Sequence, residues 1–334
     1  MTEPLRIIGI EASPYSVKLR AYCRYRHIPY RWLSRMPQFY APTQHLKPLI
    51  MPVAQHPDGR FETDSTPIIL GLEAKAERER AIFTHNPLLD FLTYLIEDFA
   101  DEWLTKCLFH YRFSYAQDRA FGPHWVMDDA HPEVTTDELN TLVKNFLKRQ
   151  TERMPLVGCT PENAPILEQS FERVLEILEP YVALDKFIFG SRPSLADFGL
   201  YGQLKTLATD PTPQNIMREV APRLTHWVRR ADDLSGLDGE FKQENELDPQ
   251  IRTLIKFVCE IYLPYLHANL SAHEQGKKAF SVELLDQTYT QNVFRYHVKC
   301  FSFLHAKYQD LSNNERIRLE DIAQADFHVF NRGP

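Results

Sequence analysis

The chain has 334 residues, of which 43% are hydrophobic and 25% charged; it is too long for one average domain and too ordinary in composition to be collagen-like, disordered or a disulfide scaffold. The net charge of −7 argues against a nucleic-acid partner, since phosphates call for a basic face. That charge is uneven: residues 1–83 hold 12 Lys+Arg against 8 Asp+Glu, with no acidic residue between Ala12 and Pro57, so the first part of the chain can attract a small anion.

Leu5 to Glu11 reads as a short buried strand. Ser13 is then a natural N-cap and Pro14 a natural first helical residue, because proline's missing N–H is not needed there. The helix continues from Tyr15 to His27, and Pro29 to Leu33 reads as a second strand. Residues 53–56 and 60–63 form a hairpin around Asp58-Gly59, whose glycine supplies positive φ. Another helix opens at Asp64-Ser65. The order βαβ…ββα in about 80 residues is that of a thioredoxin-like half-domain.

From Asn86-Pro87 onward the pattern is helical. The spacing predicts helices over 88–115, from the Thr135/Glu138 capping box to about Met154, over 162–182, from the Ser194/Asp197 capping box, and from Pro222. The signal breaks at Leu234-Ser235-Gly236. Beyond it lie a helix around 251–270 with a kink expected at Pro264, a strand pair across 280–291, and a helix over 293–308. The division expected is therefore 1–83, 84–236 and a mainly helical extension, 237–334, whose two apolar stripes need a covering surface. Docking on the helical domain is favoured over a second subunit.

Five cysteines lie far apart, with no CxxC pair and no Cys/His cluster, so neither a zinc knuckle nor a redox dithiol is encoded and a reducing compartment is expected. The opening residues carry no basic stretch followed by an apolar run, and no long apolar segment follows, so a cytoplasmic protein without membrane spans is expected.

Ser13-Pro14-Tyr15-Ser16 after the first strand, Met51-Pro52 before the third and Asp64-Ser65 after the fourth together resemble the cytosolic glutathione S-transferase family, most closely its serine-type, tau-like members. The resemblance covers about residues 5–232. It implies a thioredoxin-like α/β domain followed by an all-α domain, glutathione as co-substrate, a small electrophile as second substrate, and a homodimer. Ser13 becomes the catalytic residue that stabilises the glutathione thiolate. Pro52 is the family's cis-proline, the backbone of Met51 pairs with the cysteinyl part, and Asp64-Ser65 takes the γ-glutamyl end, where a helix N-terminus suits a carboxylate. Asp64 stands where the family usually has Glu. Lys47, with His45 as the other choice, is the cation nearest the glycine carboxylate, and Tyr15 completes the glutathione-binding set.

A serine suffices for this task. Holding a thiol of pKa about 8.5 as thiolate near neutral pH needs about 1.4–2.7 kcal/mol, and a hydroxyl hydrogen bond to a charged sulfur supplies about 1.5–3 kcal/mol. Serine at both ends of the would-be CxxC frame removes thiol–disulfide exchange. Phe109, Tyr111 and Arg112 lie where the family's second domain lines the electrophile pocket. Ser194 and Asp197 are read as a folding feature. Glu97/Asp101 and Asp98/Glu102 are like charges four apart on a helix, a repulsion that requires compensation from Lys106, from arginines of the first domain, from a dimer partner or from a metal; no metal is expected. A different class of reading is a non-catalytic glutathione-binding or protein-interaction module on the same fold.

Overall fold

The structure is a computed structural model that describes residues 3–182 and 186–331. The outer ends of the expected divisions 1–83 and 237–334 thus lie outside the described residues.

The first layer is a four-stranded mixed sheet of order β2-β1-β3-β4, from β1 (Leu5–Ile8), β2 (Tyr30–Leu33), β3 (Val53–Gln55) and β4 (Phe61–Thr63). β1 runs parallel to β2 and antiparallel to β3, and β3 runs antiparallel to β4. Helix α1 (Pro14–Tyr25) and helix α3 (Ser65–Glu73) flank it, and a short α2 (Pro37–Tyr40) lies in the long connection before β3. β1 stops at Ile8, earlier than the apolar run implied; Gly9 lies so close to the Trp32 ring that a Cβ there would lie 2.7 Å from Trp32 Cη2.

The helical part begins with α4 (Pro87–Phe99), capped by the Asn86 side chain as its Asn-Pro pair predicts. The single helix expected over 88–115 is interrupted by a π-helical turn at Ala100–Leu104 and resumes as α5 (Thr105–Ser114). A further helix, α6 (Ala116–Ala130), lies outside the expected elements and runs through Gly122-Pro123. Then follow α7 (Thr136–Arg153), α8 (Ala164–Leu178), α9 (Leu195–Leu207), α10 (Pro211–Val220) and α11 (Pro222–Ala231). Both expected capping boxes, Thr135/Glu138 and Ser194/Asp197, form.

The extension consists of α12 (Pro249–Glu274), continuous through Pro264, a hairpin of β5 (Ala279–Leu284) and β6 (Gln287–Asn292), then α13 (Arg295–Gln309) and α14 (Asn313–Ala323). Leu285 and Asp286 both take positive φ (51° and 58°), as a tight two-residue turn between twisted strands requires. Helices α12, α13 and α14 pack on α4, and α12 also packs on α8. The seam is aromatic: Phe91 sits among Tyr308, Phe327 and Phe330, Phe99 meets Phe257 and Tyr262, and Trp103 meets Tyr265 and Tyr289. The stripe of α12 is buried, and in the stripe of α13 Phe301 and Leu304 are buried while Tyr296 stays 40% exposed.

Candidate functional site

Sheet register gathers the three sequence motifs. Ile8 pairs with Val53, and Val53 pairs with Thr63. The loop that leaves β1 towards Ser13, the Met51-Pro52 segment that enters β3, and Asp64-Ser65 leaving β4 therefore share one edge of the sheet. The Met51-Pro52 peptide is cis, as is Lys47-Pro48.

Ser13 caps α1 from extended backbone, and its Oγ accepts the Ser16 N–H at 3.3 Å. A hydroxyl has one donor and two lone pairs, so the proton of Ser13 stays free to point at an anion. The turn that presents it is gripped from the helical domain. The Asp129 carboxylate of α6 accepts the Ala12 N–H at 3.1 Å, and Arg112 donates to the Ala12 carbonyl at 3.2 Å while pairing with the buried Asp210 at 2.7 Å. Both backbone polar groups next to Ser13 are therefore fixed by side chains about 100 residues distant in sequence.

At the other motif, Asp64 caps α3 with φ of 78°, a conformation rare outside glycine. One of its carboxylate oxygens accepts the Thr66 N–H at 3.4 Å; the other accepts the hydroxyl of Tyr296, from the extension, at 3.0 Å. Burial raises the Asp64 carboxyl above its usual range. Ser65 is buried, and its Oγ has no hydrogen-bond partner, an uncommon state for an enclosed hydroxyl.

Other expected site residues are placed differently. The Tyr15 hydroxyl turns into the helical domain, donating to the Asp101 carbonyl at 2.9 Å and lying 3.1 Å from Thr105 Oγ1. Burial first, then the charges of Glu102 and Asp101, raise its pKa, so it remains a neutral donor tying the two domains together rather than a hydroxyl presented to a ligand. Lys47 is exposed on its loop. Tyr111 is core: it stacks on Tyr115 and meets Phe171, with 1% exposure, and this corrects its assignment to the electrophile pocket. Phe109 packs on Phe113. Arg112 supports the Ser13 turn and lies over the Trp125 ring instead of lining an open pocket. The apolar side chains that do reach the Ser13 loop come from the unanticipated α6 and its successor: Val126 and Ala130 cluster with Ile10 and Ala12, backed by Trp125, Met127 and Phe146. Their signal in the sequence was hidden by Gly122-Pro123.

The carboxylate cluster of the π turn is compensated from both sides. Lys18 of α1, fully buried, ion-pairs with Glu97 and, at 2.6 Å, with Asp101, and donates to Thr66 Oγ1 at 2.9 Å. Burial alone would lower the Lys18 pKa, but Asp101 and Glu97 more than reverse this. The extension supplies the rest: Tyr262 donates to Asp98 at 2.7 Å, and His297 lies 2.8 Å from Glu102. Burial, then the Lys106 cation, depress the His297 pKa; its Nδ1 lies 2.6 Å from the Tyr265 hydroxyl. The compensating cation at Glu97 and Asp101 is thus a lysine of the first domain, not an arginine, while the Lys106 charge lowers the Glu102 pKa and its ammonium donates to the Val157 carbonyl and Gln291. Among the described residues no group of three or more His, Cys, Asp or Glu is placed to hold a metal, and no helix is long and apolar enough to cross a membrane.

A thioredoxin-like sheet whose edge gathers these motifs, followed by a helical bundle, defines a glutathione-transferase type of architecture. Residues 7–80 match the glutathione S-transferase N-terminal domain and residues 118–230 the glutathione S-transferase C-terminal domain, together more than half of the chain; the protein belongs to the glutathione S-transferase family. Solved structures of similar fold include the beta-etherase LigF from Sphingobium sp. strain SYK-6, at 15% identity and TM-score 0.45, covering 77% of this chain and 99% of that one. A tau class glutathione S-transferase from mango, Mangifera indica, has 13% identity and TM-score 0.40 over 69% of this chain and 89% of its own. The glutathione transferase URE2P8 from Phanerochaete chrysosporium, solved with oxidized glutathione, has 12% identity and TM-score 0.38 over 76% and 94%. No curated protein sequence matches the chain.

Proposed function

We propose that the protein is a glutathione transferase in which Ser13 holds glutathione as thiolate for attack on a small electrophile. The observation that carries this reading is Ser13 Oγ at the N-terminus of α1, which accepts the Ser16 N–H and donates to no acceptor among the described residues, on the sheet edge shared with Met51-Pro52 and Asp64-Ser65. Helix dipole and hydroxyl then act together on an anion at one point. The Met51 backbone would pair with the cysteinyl part of glutathione, the α3 N-terminus and Ser65 with the γ-glutamyl carboxylate, Asp64 with its ammonium, and Lys47 with the glycine carboxylate. Division of the chain at 83 and 236, a cytoplasmic location and a homodimer belong to the same reading, the last testable by sedimentation.

The experiment is conjugation of glutathione to a panel of aryl halides, epoxides and aryl ethers, with the ionisation of bound thiol followed by ultraviolet absorbance. Ser13→Ala is expected to lower kcat/KM on the order of 10²-fold, as loss of one anion-stabilising donor does, with an unchanged fold. An unchanged thiol pKa in the variant removes Ser13 from the mechanism. Stoichiometric glutathione binding without turnover on any electrophile identifies a binding module instead.

A further inference from the structure

We propose that Tyr296 of the C-terminal extension is a positioning residue of the glutathione site, holding the Asp64 carboxylate in place for the γ-glutamyl ammonium; this rests on the glutathione reading above. The contact joins residues 232 positions apart: Tyr296 donates to Asp64 Oδ2 at 3.0 Å. The aim of this half-exposed tyrosine is set by its neighbours. Just before it, the Asn269 side chain of α12 clamps the backbone of Phe294 twice, accepting its N–H at 2.8 Å and donating to its carbonyl at 3.1 Å. Just after it, His297 is buried between Tyr265 and Glu102. The first turn of α13 is thus locked on both sides of Tyr296, and its hydroxyl is delivered to one place.

Asp64 needs such support. Its backbone lies at positive φ, a state that persists only where surroundings enforce it. Among the described residues, the only other hydrogen bond to its carboxylate is the long 3.4 Å cap to Thr66. With Tyr296 in place, one lone pair of Oδ2 is used and another remains for an incoming ammonium. Burial and the Asp64 charge keep the Tyr296 hydroxyl protonated, so it acts as a donor throughout the working pH range. Neither Asp64 nor the extension forms this arrangement alone.

The test is titration calorimetry of the full chain, as wild type, Tyr296→Phe, Asp64→Asn and the double variant, with two probes: glutathione and its desamino analogue, glutaryl-Cys-Gly. Losing a hydrogen bond to a charged group is expected to weaken glutathione about tenfold in Tyr296→Phe. The desamino analogue should bind the two proteins equally, Tyr296→Phe should add nothing to Asp64→Asn, and kcat at saturating glutathione should hold. Equal weakening of both ligands, or a fall in melting temperature that accounts for the loss, shows a structural role and overturns the proposal. Wild-type affinity for glutathione in Tyr296→Phe overturns it while leaving the glutathione reading intact. A wild-type protein that binds no glutathione overturns both.

Discussion

Lys18→Met tests the ion-pair network that joins the thioredoxin-like sheet to the helical domain. Lys18 is 0% exposed and is the only cation in contact with Glu97 and Asp101 among the described residues, whose side chains are 4% and 9% exposed. Methionine keeps nearly the same volume, so no large cavity confounds the measurement. What is lost is the charge: among the described residues Glu97 keeps its hydrogen bond from Thr66 Oγ1 and Asp101 keeps none to its carboxylate, and removing one partner of a buried pair costs about 3–5 kcal/mol. Against a total stability of about 5–15 kcal/mol, such a loss is readily measured by urea unfolding.

The pH dependence has a definite sign. Burial raises Asp101 to about 7 even beside Lys18, with the Lys18 cation opposing the rise. A carboxyl whose folded pKa lies above its unfolded value stabilises the fold fully below the unfolded value, about 3.9, and that contribution fades as pH rises through the folded one. Removing Lys18 pushes the folded value higher still. The variant therefore gives up most at pH 8 and least at pH 5, where Asp101 is already protonated in both proteins. A difference under about 1 kcal/mol at pH 8, below the range for broken buried pairs, or an equal difference at pH 5 and pH 8, would refute the assignment of Lys18 as the neutralising charge.

Ser65→Ala should weaken glutathione by about 1–3 kcal/mol in calorimetry by leaving the γ-glutamyl carboxylate poorly paired, with less effect on turnover at saturation; equal affinities would remove the γ-glutamyl assignment. The unpartnered Ser65 hydroxyl makes the accompanying stability change small. Truncation after Gly236 would uncover Phe91, Phe99 and Trp103, each at most 2% exposed; at about 1.5–3 kcal/mol per large apolar side chain, that approaches the whole stability of a domain. No soluble folded product is expected from expression, and a truncated protein that melts at the wild-type temperature would show the seam to be energetically idle.

Features written in short sequence windows were legible. Ser13, Asn86, Thr135 and Ser194 are caps because their side chains reach backbone groups two or three residues on, and the structure forms each bond or box. The hairpins and the βαβ order were equally local. The helix α6 was hidden because Gly122 and Pro123 weaken an isolated helix, whereas here Gly122 lets the Arg112 stem approach so closely that a Cβ would meet it at 2.8 Å. That requirement belongs to the packing of α5 on α6. Like charges four apart on α4 announced a missing counter-charge, but nothing local points to Lys18, 79 residues earlier. The electrophile pocket failed for the same reason: a helical aromatic stripe at 109–113 has the same period whether it faces a cleft or the core, and Tyr111 faces the core.

The extension shows how far periodicity carries such an argument. Its apolar stripes required a covering surface, and any apolar face would have satisfied that requirement. The seam is more selective. Tyr262 serves Asp98, His297 serves Glu102 and Tyr296 serves Asp64, three carboxylates of the sheet and α4–α5 region met by three side chains of α12 and α13. A purely apolar cover would leave these acceptors unpaired at about 1–3 kcal/mol each where they are buried. Burial raises Asp98 to about 7, with the Tyr262 hydrogen bond opposing the rise, and raises Glu102 above its usual range. The acidic turn and the extension therefore specify each other: the turn is repulsive as an isolated helix, the extension is unsatisfied as an isolated bundle, and docking at this one register resolves both.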